Sequence, residues 1–380
     1  MKQRVFVTGA TGGMGFASLK EMLKDTDKQD IVILARDSEK NRSLLAPYLQ
    51  TKGFSVEWGD LNDYEVVKKC VKDCDIVLHI AAFVSPAADY YPERAMKVNY
   101  GSTKNIINAI YDCGQENSTR LVYIGTVAET GDRMPPIHWG RVGDPIKPSM
   151  FDYYAVSKVA AERLVIESGL KYWVSLRQTG IIGKAMSEIN DAIMFHNCFD
   201  NVLEYCSDRD SARAMKTLCA FFHDGTLPEE FWGHIYNIGG GPSCRTDTYS
   251  MFEVLYGEIG LKKLDYTLSP KKQATLNFHG HYYLDSDKLE NYLHFRHDSM
   301  QYYYDCYLEM LGGLRTVSRV ICKLPGGQKL MGGIMRKRFD QLARTEHGTL
   351  HFIEDNVEDH IDAYWGSRKR WEALPEKLSE

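Results

Sequence analysis

The stretch Arg4-Val5-Phe6-Val7-Thr8-Gly9-Ala10-Thr11-Gly12-Gly13-Met14-Gly15 decides how this chain is read. Its apolar, β-branched start predicts a buried strand, and glycines at 9, 12 and 15 predict a tight turn into a helix running to about Leu23. Glycine there lets the backbone turn sharply and approach a pyrophosphate, whose charge meets free amides at the helix N-terminus. With a strand before it and a helix after it, the loop reads as a dinucleotide cradle built by Gly9, Thr11, Gly12, Gly13, Met14 and Gly15.

Outward from this loop, short apolar runs alternate with helical stretches. Strands are expected at 5–8, 30–35, 54–58, 76–80, 121–124 and 173–177, with amphipathic segments such as 93–113 and 153–168 between them. That alternation predicts an α/β fold, a doubly wound parallel sheet with ligands beyond the carboxyl ends of its strands. The pattern loosens after about residue 180, although 234–241 reads as one more strand ending in a turn. The expected organisation is a dinucleotide-binding domain over 1–180 plus about 208–240. A smaller, mostly α substrate domain follows over about 181–207 and 241–296, then a helical appendix over 297–380.

A chain of 380 residues, 44% of them hydrophobic, can bury a large core. Its formal net charge of −5 gives no general reason to expect a nucleic-acid partner. Nine cysteines, scattered and odd in number, read as free thiols in a reducing compartment, with Cys70 and Cys74 placed for packing. The first strand begins almost at Met1, which leaves no room for a secretory leader, and no apolar run is long enough to span a bilayer. A soluble cytoplasmic protein is the expectation. His279-Gly280-His281, His347 and His351 lack further ligands at suitable spacing, so no metal is expected.

Chemistry enters with Tyr154-Ala155-Val156-Ser157-Lys158, where four-residue spacing puts a phenol and an ammonium on one helix face. Such a cation holds a tyrosine closer to its ionised form and suits it to general acid/base work, although the spacing alone equally fits a solvated face. The second strand ends Leu34-Ala35-Arg36, without the acidic residue that grips a ribose 2′-hydroxyl. Arg36, near Lys40 and Arg42, suits a 2′-phosphate and hence NADP. Asp37 follows at once and keeps NAD open. After the third strand, Asp60 and Leu61 are placed to meet an adenine edge, and after the fourth Ala81 and Ala82 leave room for a dinucleotide.

These motifs, together with Val98-Asn99-Tyr100-Gly101, Asp210-Ser211-Ala212-Arg213 and Leu284-Asp285-Ser286-Asp287, stand in an order that resembles the extended short-chain dehydrogenase/reductase superfamily. Over roughly 3–296 the resemblance implies a Rossmann-type fold. It implies Tyr154 as catalytic acid/base, Lys158 as the residue that lowers its pKa and binds the nicotinamide ribose, Thr126 as the hydroxyl on the substrate oxygen, and Asn99 as a supporting member. Thr126 stands where the family usually has a serine, and Gly125 departs further from that pattern. Related 4,6-dehydratases carry Asp and Glu where this chain has Val127 and Ala128, so water elimination is not expected.

The expected activity is NADP-dependent interconversion of a secondary alcohol and a carbonyl, on an apolar, hydroxysteroid-like substrate suggested by Met186, Ile189, Met194 and Phe195. An NAD-dependent nucleotide-sugar epimerase is the alternative, and a non-catalytic NADP-binding sensor is the alternative of another class. A homodimer is expected. In the appendix, Met310, Leu314, Val317, Ile321 and Leu324 recur at helical spacing beside Arg315, Arg319 and Lys323, with Arg336-Lys337-Arg338 after them. A helix docked on the substrate domain, a lid or dimer element, and a membrane-surface contact through 310–345 all fit this pattern.

Overall fold

Strands that are apolar on both faces bury all of that surface only inside a sheet covered on both sides. In the computed structural model, which describes residues 2–378, these strands are β1 Gln3–Thr8, β2 Gln29–Ala35, β3 Phe54–Trp58, β4 Ile76–His79, β5 Arg120–Thr126, β6 Tyr172–Gln178 and β7 His234–Ile238. All pair in parallel, in the order β7-β6-β5-β4-β1-β2-β3. The chain runs outward from β1 to β3 and then returns to the other side of β1 at β4. This reversal opens a crevice at the carboxyl ends of β1 and β4, the expected ligand position in a doubly wound sheet.

Covering the sheet are α1 Gly13–Met22, α2 Glu39–Leu45, α3 Tyr64–Val71, α4 Gly101–Asp112, α5 Tyr153–Ile166 and α6 Asp208–His223. Successive strand residues point to opposite faces, so each strand serves two cores. Val5, Val7, Ile31, Ile33 and Val122 pack with Leu19 and Met22 of α1 and Met215 and Leu218 of α6. Phe6, Val32, Val77, Leu121 and Tyr123 pack on the other face with Val67 of α3, Ile106 of α4 and Val165 of α5.

Beyond the sheet lie, among other helices, α7 Thr248–Glu258, α8 Met300–Leu311, α9 Gly313–Lys323, α10 Gly327–Ala343, α11 Thr349–Glu354 and α12 Glu358–Trp365. Phe195, Tyr205, Phe252, Tyr256, Tyr303 and Phe339 build their main core. A smaller cluster joins Cys198 and Ala274 to Phe352, Ile361 and Trp365, and the Trp365 indole donates to the Gln273 carbonyl at 3.0 Å. All nine cysteines are unpaired. Among the described residues no helix is long and apolar enough to cross a membrane.

Two expectations about the appendix need correction. The single helix through Met310 and Leu324 is interrupted at Gly312, which adopts φ 50° between α8 and α9. Its apolar stripe also faces solvent, with Leu314 69% and Val317 56% exposed, while Ser318 and Cys322 face inward. The reason is a close approach: a Cβ added at Gly260 would lie 3.1 Å from both Arg319 Cα and Cys322 Cβ. Only small side chains fit beneath α9, and Ser318 Oγ donates to the Ile259 carbonyl at 2.7 Å.

Candidate active site

The glycine loop has steric reasons for its residues. Gly9 sits at φ +73°, and a Cβ there would lie 2.7 Å from Ala81 Cα and backbone nitrogen. At Gly15 a Cβ would overlap the Gly9 carbonyl oxygen, so the first turn of α1 can sit against the end of β1 only because both are glycine. Around Gly13 nothing lies within 4 Å of such an atom. Gly12 caps α1 without a side-chain acceptor, which leaves first-turn amides for an anionic ligand. A dinucleotide pyrophosphate fits this cradle.

Arg36 is exposed just beyond β2. Asp37 is engaged by Arg42, whose Nη2 donates to it at 2.8 Å and whose guanidinium lies 4.6 Å from the Trp58 ring centroid. That bond holds the Asp37 carboxyl below the usual carboxylate range. Asp60 Oδ1 accepts from the Asn62 amide at 2.8 Å and from its side chain at 2.7 Å, so one oxygen is committed to the turn. The Leu61 carbonyl accepts from Asn105 at 2.9 Å. Ala81 donates its amide to Thr8 Oγ1 at 3.1 Å, which ties the loop after β4 to the end of β1, and Ala82 follows on that loop.

At the end of β5 the Thr126 side chain lies beside the Tyr154 phenol and draws its pKa down. Lys158 runs beneath the same helix, where its Nζ donates to the Ile124 carbonyl at 2.6 Å and lies 4.1 Å from the Tyr123 ring centroid. Burial lowers the Lys158 pKa to about 8, against the pull of the Glu129 and Glu162 charges. The expected depression of the Tyr154 pKa by Lys158 is not what this site produces. Burial raises the phenol; the neighbouring Thr126 opposes the rise, while Glu129, Asp152 and Asp89 add to it. Tyr154 therefore keeps its proton at neutral pH.

Beneath this pair lies a charged cluster that sequence reasoning missed. Glu129 closes a capping box with Thr126, its Oε1 accepting the Thr126 amide at 3.1 Å. The pattern Thr126-x-x-Glu129 was the signal that could have revealed it. Arg177 donates to both Glu162 oxygens, at 3.1 and 2.6 Å, and stands 3.3 Å from Glu129. Burial works against a charged Glu162, yet the Arg177 bonds hold it below its ordinary pKa. Glu129 is pushed well above its own, first by burial and then by the Glu162 charge. Gly125 makes room for this cluster, since a Cβ there would come within 3.1 Å of Glu162 Oε1 and Arg177 Cγ.

Asn99 touches neither Tyr154 nor Lys158. It lies in the π turn Met96–Tyr100 that interrupts the helix expected over 93–113, and its side chain bonds the Phe83 amide and carbonyl at 2.7 and 3.0 Å and Ser157 Oγ at 2.8 Å. Asn99 thus ties the loop after β4 to α5 as a positioning residue. His79 similarly joins Thr8 to Thr103, at 2.9 and 3.0 Å, and burial lowers its pKa to about 3.

A cavity of about 380 Å³ opens at the N-terminal turn of α5. Asp89, Asp152 and His279 form one wall, and His347, His351 and His360 of the appendix form another. Asp152 caps α5 through the Ala155 amide at 2.8 Å and pairs with His279 at 2.9 Å, while Asp89 accepts the Tyr154 amide at 3.1 Å. The apolar wall expected from Met186, Ile189, Met194 and Phe195 is not part of this cavity. Phe195 is consumed by the core, with Met186 and Met194 packed against it, and Ile189 points to solvent.

Burial, then the Asp152 charge, raises the Asp89 pKa to about 6. A raised acid favours the folded state while protonated, so its stabilisation is complete below about pH 4 and lost as pH rises through about 6. Asp89→Asn is expected to remove an inflection near pH 6 from the kcat/KM profile and to raise stability at pH 8 relative to pH 5, measured by denaturant titration. An unchanged profile and unchanged pH dependence of stability would count against this assignment.

Fold and site together define a Rossmann-type, nicotinamide-dinucleotide enzyme of the short-chain dehydrogenase/reductase kind. The chain belongs to the NAD dependent epimerase/dehydratase family, whose model matches residues 5–239. It is 29% identical over 278 residues to a 3 beta-hydroxysteroid dehydrogenase/Delta 5-->4-isomerase of Vaccinia virus (strain Copenhagen), covering 66% of this chain and 74% of the relative. A UDP-N-acetylglucosamine 4,6-dehydratase of Campylobacter jejuni is 30% identical over 121 residues, covering 32% of this chain and 36% of that one. Among solved structures, the dTDP-glucose 4,6-dehydratase DesIV of Streptomyces venezuelae, with NAD bound, superimposes with a TM-score of 0.61 at 19% identity. It covers 82% of this chain and 98% of its own, a likeness of fold.

Proposed function

We propose that this protein is an NADP-dependent oxidoreductase interconverting a secondary alcohol and a ketone. The observation that carries the reading is the placement of Thr126 beside Tyr154, at the end of β5, on the same carboxyl edge of the sheet as the glycine cradle. Gly9, Gly12, Gly13 and Gly15 would hold the pyrophosphate, Arg36 a 2′-phosphate, and Lys158 the nicotinamide ribose. A nicotinamide held there would supply or accept the hydride that the substrate carbon gains or loses. Thr126 donates a hydrogen bond to the substrate oxygen, and Tyr154, protonated at neutral pH, gives that oxygen its proton in the reducing direction and takes it back in the other. Val127 and Ala128 carry no group able to transfer a second proton, and Glu129 is turned inward onto Thr126 and Arg177.

The substrate we favour is an alicyclic alcohol or ketone of the hydroxysteroid kind, supported by what the vaccinia relative's name says that protein acts on. The second reading is epimerisation of a nucleotide sugar, supported by what the Campylobacter relative's name says that protein acts on. To test both, purified protein is given NADPH or NADH with hydroxysteroid ketones, and separately with UDP-sugars. NADPH oxidation by a ketone is expected, and Arg36→Gln should lower kcat/KM for NADPH roughly 10- to 100-fold while leaving NADH nearly unchanged, as loss of a charge-assisted bond predicts. Sugar interconversion without net cofactor oxidation would establish the second reading. Tight cofactor binding with neither reaction would overturn both.

A further inference from the structure

The hairpin of α9 and α10 carries a surface that the reaction does not use. From Met310 to Phe339 the chain has no Asp or Glu and seven basic residues, Arg315, Arg319, Lys323, Lys329, Arg336, Lys337 and Arg338, within a protein of net charge −5. Around the turn Leu324-Pro325-Gly326, the side chains of Leu314, Val317, Val320, Leu324, Leu330 and Ile334 are each more than half exposed. Spacing of three puts Leu314 and Val317 on one face of α9, with Leu324 just past its end, and Leu330 and Ile334 stand one turn apart on α10. Arg315 and Arg319 are turned toward Glu258, at 2.6 and 3.6 Å. Lys323, Lys329 and Lys337 have no ion pair among the described residues.

We propose that this hairpin docks the protein on an anionic phospholipid surface, with the apolar side chains entering the acyl boundary and the lysines at the headgroups. An apolar face flanked by cations is what an in-plane interfacial helix presents. α9, at about 1.5 Å per residue, is roughly 16 Å long and lies along the surface rather than across it. Charge selects the occupant. A second copy seated by two-fold symmetry would set this cationic face, with no Asp or Glu over 310–339, against itself.

The test sediments the full-length protein with phosphatidylcholine vesicles with and without phosphatidylglycerol. Binding is expected only with the anionic lipid and should weaken as salt rises. A basic residue near an anionic surface contributes about 1 kcal/mol, so each Lys→Gln should weaken binding about fivefold and the triple variant at 323, 329 and 337 about 100-fold. Val317→Ser with Leu324→Ser should also release the protein. All five positions are exposed, so an unchanged circular dichroism spectrum and thermal midpoint verify the fold. The proposal is overturned if wild type ignores anionic vesicles, if neither variant changes binding, or if sedimentation shows a dimer that Val317→Ser with Leu324→Ser dissolves. None of these outcomes bears on cofactor oxidation, which reads the proposed reaction separately.

Discussion

Tyr154→Phe is expected to lower kcat with NADPH and a ketone substrate by about 10²- to 10⁴-fold, the usual contribution of a positioned general acid. The effect should fall on kcat and kcat/KM together, because the phenol proton moves only in the transition state. Cofactor affinity should hardly change, since the glycine cradle and Arg36 follow β1 and β2, apart from Thr126 at the end of β5. Phenylalanine keeps the ring, so packing at the start of α5 is preserved. Steady-state kinetics with fluorescence titration of NADPH checks both halves. Full activity in Tyr154→Phe would remove Tyr154 from the reaction.

Arg177→Met is expected to cost about 3–5 kcal/mol of stability, the range for removing one partner of a buried ion pair. Arg177 is 4% exposed and is the cation that Glu162 meets through two hydrogen bonds, with Glu129 at 3.3 Å on its other side. Without it, Glu162 loses what keeps it ionised in a buried site and should take up a proton. The sign follows from linkage: Glu162, held below its ordinary pKa by Arg177, adds stability above the unfolded value of about 4.5 that is lost as pH falls through the folded one. In Arg177→Met that contribution disappears, so the loss should be larger at pH 7 than at pH 4. Urea denaturation at both pH values measures it, and equal losses would refute the assignment.

Much of the sheet was legible because its signals are local. Apolar runs, the glycine spacing and the four-residue interval of Tyr154 and Lys158 each need only neighbouring residues to be read, and the six strands expected up to residue 177 lie within two residues of their observed bounds, while the run at 234–241 ends as a strand at Ile238. Helix type was legible less finely, since the π turn at Asn99 depends on bonds to Phe83 and Ser157, contributed from other parts of the chain. The direction of the Tyr154 pKa was misread for a similar reason. Spacing showed a cation one turn away, but not that it reaches Ile124 and Tyr123, nor that three carboxyl groups surround the phenol.

The sequence by itself determined the doubly wound sheet, the glycine cradle and the joint placement of Tyr154 and Lys158 on one helix face, because hydrophobic period and backbone sterics act over a few residues. Only the tertiary structure decided three further things. It gathered Glu129, Glu162 and Arg177 beneath Thr126, brought the appendix histidines to the wall of the cavity, and turned the apolar stripe of α9 outward. Each depends on contacts between distant segments, where close approach, as at Gly125 and Gly260, fixes which side chains fit and which must face water.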